Sequence, residues 1–268
     1  MDLSTLVDLD EARGLRGAVW VDARRRPGDV ALAGAVWADL DVDLAAAPVQ
    51  LGVEGRHPLP ALSVWGATLG RWGIGVDTPV VIYDDAGGAV AAARCWWMLR
   101  AVGHARVAVL RQGWQGIVAA GMPTGPVRRS ADVVARPYPV PASWALPTVD
   151  MDTVASSGRP VIDVRDGVRY RGERDPFDPT PGHIPGAVSA PFRDNLVQGV
   201  LVDDATLARR LDDTVGTGPA AELILSCGSG VTACHTLLAL EHVGRCGAAL
   251  FVGSYSAWCR SDRAIERG

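Results

Sequence analysis

The sequence contains no lysine, because all 26 of its basic residues are arginine. This absence excludes Schiff-base chemistry on a lysine amine and the Walker phosphate-binding loop, since both need that side chain. Arginine remains for anion binding, and its planar guanidinium suits carboxylates and phosphates.

The sequence also lacks an excess of positive charge and a long hydrophobic run. Its 268 residues carry a formal net charge of −4, which gives no basic surface for nucleic acid. No apolar run reaches the roughly 18 residues that a membrane-spanning helix needs. The first residues, MDLSTLVDLDEARG, are acidic and show no secretory signal. We therefore expect a soluble, cytoplasmic protein that binds neither nucleic acid nor membrane.

Cysteine occurs only five times and never as a C-x-x-C pair, at positions 95, 227, 234, 246 and 259. An odd number without paired spacing supports neither a disulfide framework nor a zinc site with the usual ligand spacing. We therefore expect no metal, and we expect four of the cysteines to be small core residues. The fifth, Cys227, lies in a loop that needs separate treatment.

The two halves of the sequence repeat each other. The order GAVWVDARR, LAGAVWADLD, TPVVIYDDAGGAV and ARVAVLRQGWQG is followed by RPVIDVRDG, HIPGAVSAPF, AELILSCGSGV and GAALFVGSYSAW. Each short apolar run precedes a turn and a segment with helical spacing, which predicts alternating strands and helices. We therefore predict an α/β protein with two tandem domains, each a mainly parallel sheet flanked by helices.

Proline is concentrated at the join between the two halves, in a segment with little periodicity. Because proline removes backbone donors and fixes φ, such a segment is typical of a linker. The predicted organisation is a non-catalytic first domain at 1–124, a linker at 125–145 and a catalytic second domain at 146–268.

Cys227 lies where a strand predicted at 222–226 gives way to a helix predicted at 231–243, with Gly228 and Gly230 directly behind it. The carboxyl ends of strands form the ligand crevice of open α/β sheets. The glycines allow a tight turn whose amides point at one spot, which favours an anion near the start of the helix. We therefore expect Cys227 to be held as a thiolate. The equivalent loop of the first half carries Asp84, which cannot serve as the same nucleophile.

Three chemistries use such a loop. A cysteine phosphatase needs an arginine six positions after the nucleophile, where this sequence has Ala233. A thiol-disulfide enzyme needs a second cysteine within reach, but Cys234 is about two helical turns away. Sulfur transfer through a Cys227 persulfide is the chemistry that remains, with an inert buried cysteine as the alternative.

Five motifs occur in an order that identifies a family: RHPLP (56–60), GWQGIVAAGMPT (113–124), GHIPGAV (182–188), CGSGVTA (227–233) and VGSYSAW (252–258). In this order they resemble the rhodanese superfamily, and in particular its two-domain sulfurtransferases. The resemblance covers nearly the whole chain. It implies two rhodanese-like domains and a persulfide formed on Cys227, in a reaction that needs neither a metal nor an organic cofactor.

The residues after the cysteine bear on the sulfur donor. Family members that use thiosulfate typically carry C-R-K-G-V-T, whereas those that use 3-mercaptopyruvate carry C-G-S-G-V-T, as this sequence does. A doubly charged thiosulfate benefits from cations in the loop, whereas a keto acid presents its carboxylate elsewhere. The resemblance therefore implies transfer from 3-mercaptopyruvate to cyanide, a small thiol or thioredoxin. The alternatives are thiosulfate as donor, or a non-catalytic module that binds partners or senses oxidants through Cys227.

The resemblance also implies roles for individual residues. Arg169, in RYRGERDP, matches the family arginine that binds substrate, and Arg174 is a loose candidate for a second one. Ser229, His57 and Asp41 match a relay in which His57 moves a proton and Asp41 fixes its tautomer. The remaining substrate-binding candidates are in the cysteine loop, at Gly228, Gly230, Val231 and Thr232.

Overall fold

The computed structural model describes residues 3–25, 30–128 and 138–268, which group into two compact units. Unit 1 takes its described residues from Met1–Ala45, Pro60–Ala145 and Gln198–Leu201. Unit 2 consists of Ala46–Leu59, Leu146–Val197 and Val202–Gly268. Each unit therefore contains segments from both halves of the sequence.

Unit 1 is built on a parallel sheet with the strands β1 (Leu6–Val7), β2 (Val19–Asp22), β4 (Val36–Trp37), β5 (Val80–Tyr83) and β6 (Val107–Leu110). They lie in the order β1-β6-β5-β2-β4, and β5 and β6 are buried along their whole length. Such continuous apolar strands are typical of parallel sheets covered on both faces. An antiparallel pair adds β3 (Ala31–Leu32) and β7 (Thr124–Gly125). The helices are α1 (Leu9–Gly14), α3 (Leu62–Arg71), α4 (Ala91–Ala101) and α5 (Gly113–Ala119).

Unit 2 is built on a second parallel sheet with the strands β8 (Thr148–Val149), β9 (Val161–Asp163), β10 (Val188–Ser189), β13 (Ile224–Ser226) and β14 (Ala249–Phe251). They lie in the order β8-β14-β13-β9-β10. The helices are α2 (Leu51–Glu54), α6 (Met151–Ser156), α7 (Gly167–Tyr170), α8 (Asp204–Val215), α9 (Ala233–His242) and α10 (Ser254–Trp258). Two further short strands are β11 (Leu196–Val197) in unit 2 and β12 (Val200–Leu201) in unit 1.

The two sheets have the same topology. The first, second, third, fourth and fifth strands along the chain of each sheet occupy the same places in the strand order. The second strand of each ends in the same buried ion pair, Asp22 with Arg24 and Asp163 with Arg165, at 2.6 Å in both cases. The predicted duplication and the predicted α/β fold class are therefore confirmed.

The division into units differs from the predicted boundaries in two segments, of which the shorter, Gln198–Leu201, was expected in the second domain but belongs to unit 1. Ala46–Leu59, which we placed in the first domain, belongs to unit 2, where the Ala46 N–H donates to the Pro58 carbonyl at 3.0 Å and α2 packs on α10. Of the predicted linker, residues 129–137 lie outside the described residues. None of the helices in the described part of the chain is long and apolar enough to cross a bilayer.

Candidate active site

Cys227 directly follows β13, and it is only 1% exposed. Its backbone N–H donates to Ser254 Oγ at 3.1 Å, and Ser254 Oγ donates to the Phe251 carbonyl at 2.8 Å. Ser254 has a φ of 50°, a left-handed conformation that is costly for a residue other than glycine. The fold thus holds a hydroxyl 3.9 Å from the Cys227 sulfur.

The loop after Cys227 is fixed by the first residues of α10. The backbone N–H groups of Tyr255 and Ser256 donate to the carbonyls of Cys227 and Gly228, at 3.0 and 2.9 Å. Gly230 has a φ of 73°, and a Cβ added there would lie 2.4 Å from the Val252 carbonyl oxygen. Only glycine fits at this position, because both the backbone conformation and the close approach exclude a side chain.

His57 reaches the same loop. Its Nδ1 lies 2.7 Å from Ser229 Oγ, and Ser229 is 7% exposed. The segment that carries His57 is anchored on unit 2, since the Arg56 N–H donates to Ser256 Oγ at 3.1 Å and Gly55 lies directly against the Gly253 carbonyl. The sequence placed His57 and Ser229 together only through the family resemblance, and their hydrogen-bonding distance is consistent with proton exchange between them.

Two guanidinium groups lie over Gly228. A Cβ added at Gly228 would lie 2.9 Å from Arg169 Nη2, 3.2 Å from Arg169 Nη1 and 3.0 Å from Arg56 Nη2. Arg169 was predicted from the sequence, whereas Arg56 was not. Arg56 is the first residue of the RHPLP motif, in which the family resemblance assigns a role only to the histidine. The paired guanidiniums explain why the residue after the cysteine is glycine here, since a side chain would occupy the same space.

Two buried carboxylates hold these arginines. Asp178 pairs with Arg56 through Nη1 and accepts from Arg169 Nη2 at 3.2 Å, while Asp175 accepts from Arg169 Nε at 3.0 Å. Arg260 also donates to Asp178, at 2.8 Å. Both carboxylate side chains are fully buried. The arginine positions are therefore set by ion pairs rather than by free rotation of exposed side chains.

The other predicted site residues lie partly in the cysteine loop and partly on the surface. Val231 is buried in the loop and Thr232 is the residue before α9. Arg174, the loose candidate for a second substrate arginine, is exposed. Asp41 is an exposed residue of unit 1, where its N–H donates to Asp39 Oδ1 at 2.9 Å. Its predicted role beside His57 remains a prediction.

Asp84 fills the equivalent loop of unit 1. Its carboxylate accepts backbone N–H groups from four residues at 2.8 to 3.4 Å: Ala86, Gly88, Val90 and Ala92. Burial raises the pKa of this carboxyl, and the four hydrogen bonds partly oppose that effect. The duplicated loop therefore presents its amides to a side chain of its own, which leaves no nucleophile in unit 1 at this position.

We expect Asp84→Ala to lower the free energy of unfolding by about 2–4 kcal/mol, because four N–H groups, two of them buried and two partly buried, lose their acceptor. Urea denaturation measures the change. Asp85→Ala is the matched control, since Asp85 is the adjacent carboxylate but is exposed, and its removal should cost less than about 0.5 kcal/mol. Equal stability of the two variants would contradict this role for Asp84.

Comparison with known proteins agrees with this architecture. The rhodanese-like domain matches the chain twice, at residues 9–120 and 150–261. The chain belongs to the rhodanese family. The resemblance seen in the sequence motifs is thus confirmed, and each matched range contains one of the two duplicated loops.

Among rhodanese-family relatives, the chain is similar to sulfurtransferases of two names. It is 39% identical to the "Probable 3-mercaptopyruvate sulfurtransferase" of Pseudomonas aeruginosa over 86% of this chain and 81% of that protein. It is 33% identical to the thiosulfate sulfurtransferase of Gallus gallus over 75% of this chain and 70% of that protein. The structure of 3-mercaptopyruvate sulfurtransferase from Leishmania major matches with a TM-score of 0.81 and 27% identity, over 95% of this chain and 74% of that one. The predicted enzyme class, sulfurtransferase, is confirmed.

Proposed function

We propose that this rhodanese-family protein moves a sulfane sulfur from 3-mercaptopyruvate to a thiophilic acceptor through a persulfide on Cys227. The observation that carries the proposal is the pair of guanidinium groups, from Arg56 and Arg169, beside the loop of a buried cysteine. Two converging guanidiniums suit the carboxylate and keto oxygens of the donor, since each presents several N–H groups in one plane. Mercaptopyruvate also matches the Gly-Ser pattern of the loop.

The first half-reaction begins when the Cys227 thiolate attacks the thiol sulfur of the donor. A new S–S bond forms, the C–S bond of mercaptopyruvate breaks, and its electron pair leaves as the enolate of pyruvate. The proton of the donor thiol passes through Ser229 and His57 to the methylene carbon of the enolate, which completes pyruvate. Asp41 is assigned the role of orienting His57, on the family resemblance.

The second half-reaction returns the enzyme to its starting state. The nucleophilic acceptor attacks the outer sulfur of the Cys227 persulfide, the S–S bond breaks, and its electron pair restores the thiolate. Cyanide would leave as thiocyanate, and a thiol would leave as its persulfide. The acceptor in the cell, thioredoxin among the candidates, and a cytoplasmic location remain predictions.

Thiosulfate is the second candidate donor. The loop itself carries no cation after Cys227, but Arg56 and Arg169 bring two to the same place from other segments. A dianion would be attracted by these groups, so thiosulfate could be bound without a cation in the loop itself. A relative named thiosulfate sulfurtransferase is consistent with this alternative.

The identity of the donor that loads Cys227 tests the proposal directly. We expect incubation with 3-mercaptopyruvate to add one sulfur, about 32 Da, to the peptide that contains Cys227, as measured by mass spectrometry. Steady-state rates with both donors at equal concentration give the preference, and kcat/KM should be higher for 3-mercaptopyruvate. A large preference for thiosulfate would favour the second candidate, and no added sulfur from either donor would favour a non-catalytic module.

A further inference from the structure

Asp178 is the carboxylate shared by the arginines at the site. Its two oxygens take Arg56, Arg169 and Arg260, and its side chain has no exposed surface. Each of these arginines keeps between 12% and 23% of its own side chain exposed. A buried negative charge thus lies directly behind the two guanidiniums that face the donor.

The ion pairs of the described residues extend this cluster to a defined set of charges. Asp175 joins Arg169 to Arg165 at 3.0 and 3.3 Å, and Arg165 pairs with Asp163 at 2.6 Å. The connected cluster consists of four guanidiniums and three carboxylates, which leaves one net positive charge. Asp178 is the carboxylate that contacts both Arg56 and Arg169, the two arginines over Gly228.

We infer that Asp178 is a specificity-determining residue, whose charge limits the positive potential at Gly228 so that a monoanionic donor is preferred over a dianionic one. The inference rests on the proposed sulfur-transfer function. An added positive potential stabilises thiosulfate, with two negative charges, about twice as strongly as mercaptopyruvate, with one, because electrostatic energy scales with charge. The buried setting keeps solvent and salt from screening this difference fully.

The Asp178 charge is expected to set the preference between the two donors rather than the overall rate of sulfur transfer. Loss of the Asp178 charge also loosens Arg56 and Arg169, and this loosening weakens the binding of both donors. The ratio of kcat/KM for thiosulfate to kcat/KM for 3-mercaptopyruvate separates the two effects, since misplaced arginines lower both values whereas an altered potential changes their ratio.

The test compares this ratio in the wild-type protein, Asp178→Asn and Asp178→Glu. Asparagine keeps an acceptor oxygen without the charge, and the ratio should rise roughly tenfold or more. Glutamate keeps the charge, and the ratio should stay within about threefold. The matched control is Asp212→Asn, which removes an ion-paired but half-exposed carboxylate from α8 and should leave the ratio unchanged.

A second variant tests the same potential in the opposite direction. Arg260 donates to Asp178 and to the Ser256 carbonyl at the edge of the cluster, so Arg260→Gln removes one positive charge and should lower the ratio. If Asp178→Asn does not fold, the ratio of kcat/KM values in Arg260→Gln tests the role of Asp178 in its place. An unchanged ratio in the folded variants would overturn the role of Asp178.

The proposed function is tested separately by the wild-type protein in the same experiment. If the wild-type protein uses 3-mercaptopyruvate and the variants show the same ratio of kcat/KM values as the wild type, the role of Asp178 is contradicted and the proposed function is not. A wild-type protein that uses neither donor contradicts the proposed function, and the inference with it.

Discussion

Replacement of Cys227 by serine is expected to reduce sulfur transfer by a factor on the order of 10³ or more, from either donor, because a hydroxyl cannot form the persulfide. The fold should persist. The backbone contacts of Cys227 with Ser254 and Tyr255 do not involve its sulfur, so the free energy of unfolding should change by less than about 1.5 kcal/mol. Initial rates with each donor, together with urea denaturation, measure both effects.

Cys246→Ser is the matched control for that substitution. Cys246 is an exposed thiol of the same unit, so its replacement should leave both the rate and the mass gained from the sulfur donor unchanged. Sulfur transfer that survives in Cys227→Ser at more than a few per cent of the wild-type rate would remove Cys227 from the reaction. Loss of the added mass in Cys246→Ser would instead show that Cys246, and not Cys227, carries the transferred sulfur.

Gly230→Ala is expected to have the second-largest effect. A Cβ there would lie 2.4 Å from the Val252 carbonyl oxygen on a backbone with φ of 73°, so the loop has to move away from Val252, the residue that follows β14. We expect a loss of roughly 2–4 kcal/mol in the free energy of unfolding. We also expect kcat/KM to fall by about 10²-fold or more, because the Cys227 sulfur, Ser229 and the guanidiniums lose their alignment.

Gly244→Ala separates strain of the backbone from disturbance of the site. Gly244 has a similar φ of 80°, but no atom lies within 4 Å of an added Cβ. The substitution should therefore cost about 1 kcal/mol from conformation alone and leave kcat/KM unchanged. Equal losses of activity in the two variants would show that the close approach at Gly230 does not matter for catalysis.

Much of the fold was predictable from local patterns. The strand before Cys227 was expected at 222–226 and is observed as β13 at Ile224–Ser226, and the helix expected at 231–243 is α9 at Ala233–His242. These elements follow from short apolar runs, glycine turns and helical spacing, which neighbouring residues determine. The duplication was equally visible, because both halves repeat the same order of patterns.

The composition of the site was less predictable. Arg56 and Asp178 are 122 positions apart, and no spacing rule brings them together. Asp178 was an unremarked acidic residue in a Pro-rich stretch, yet it is buried because it pairs with three arginines. Their proximity depends on the packing of α2 against α10, which is a tertiary contact that a single sequence does not display.

Because Ala46–Leu59 belongs to unit 2, the residues of the candidate site come from both halves of the sequence. A gene cut at the proline-rich join would give a C-terminal product with Cys227, Ser229, Arg169 and Asp178, but without Arg56 and His57. The N-terminal product would contain Arg56 and His57, but it would lack Asp178 and Ser229, with which they pair. Neither half of the duplication, expressed alone, would therefore carry all residues of the candidate site.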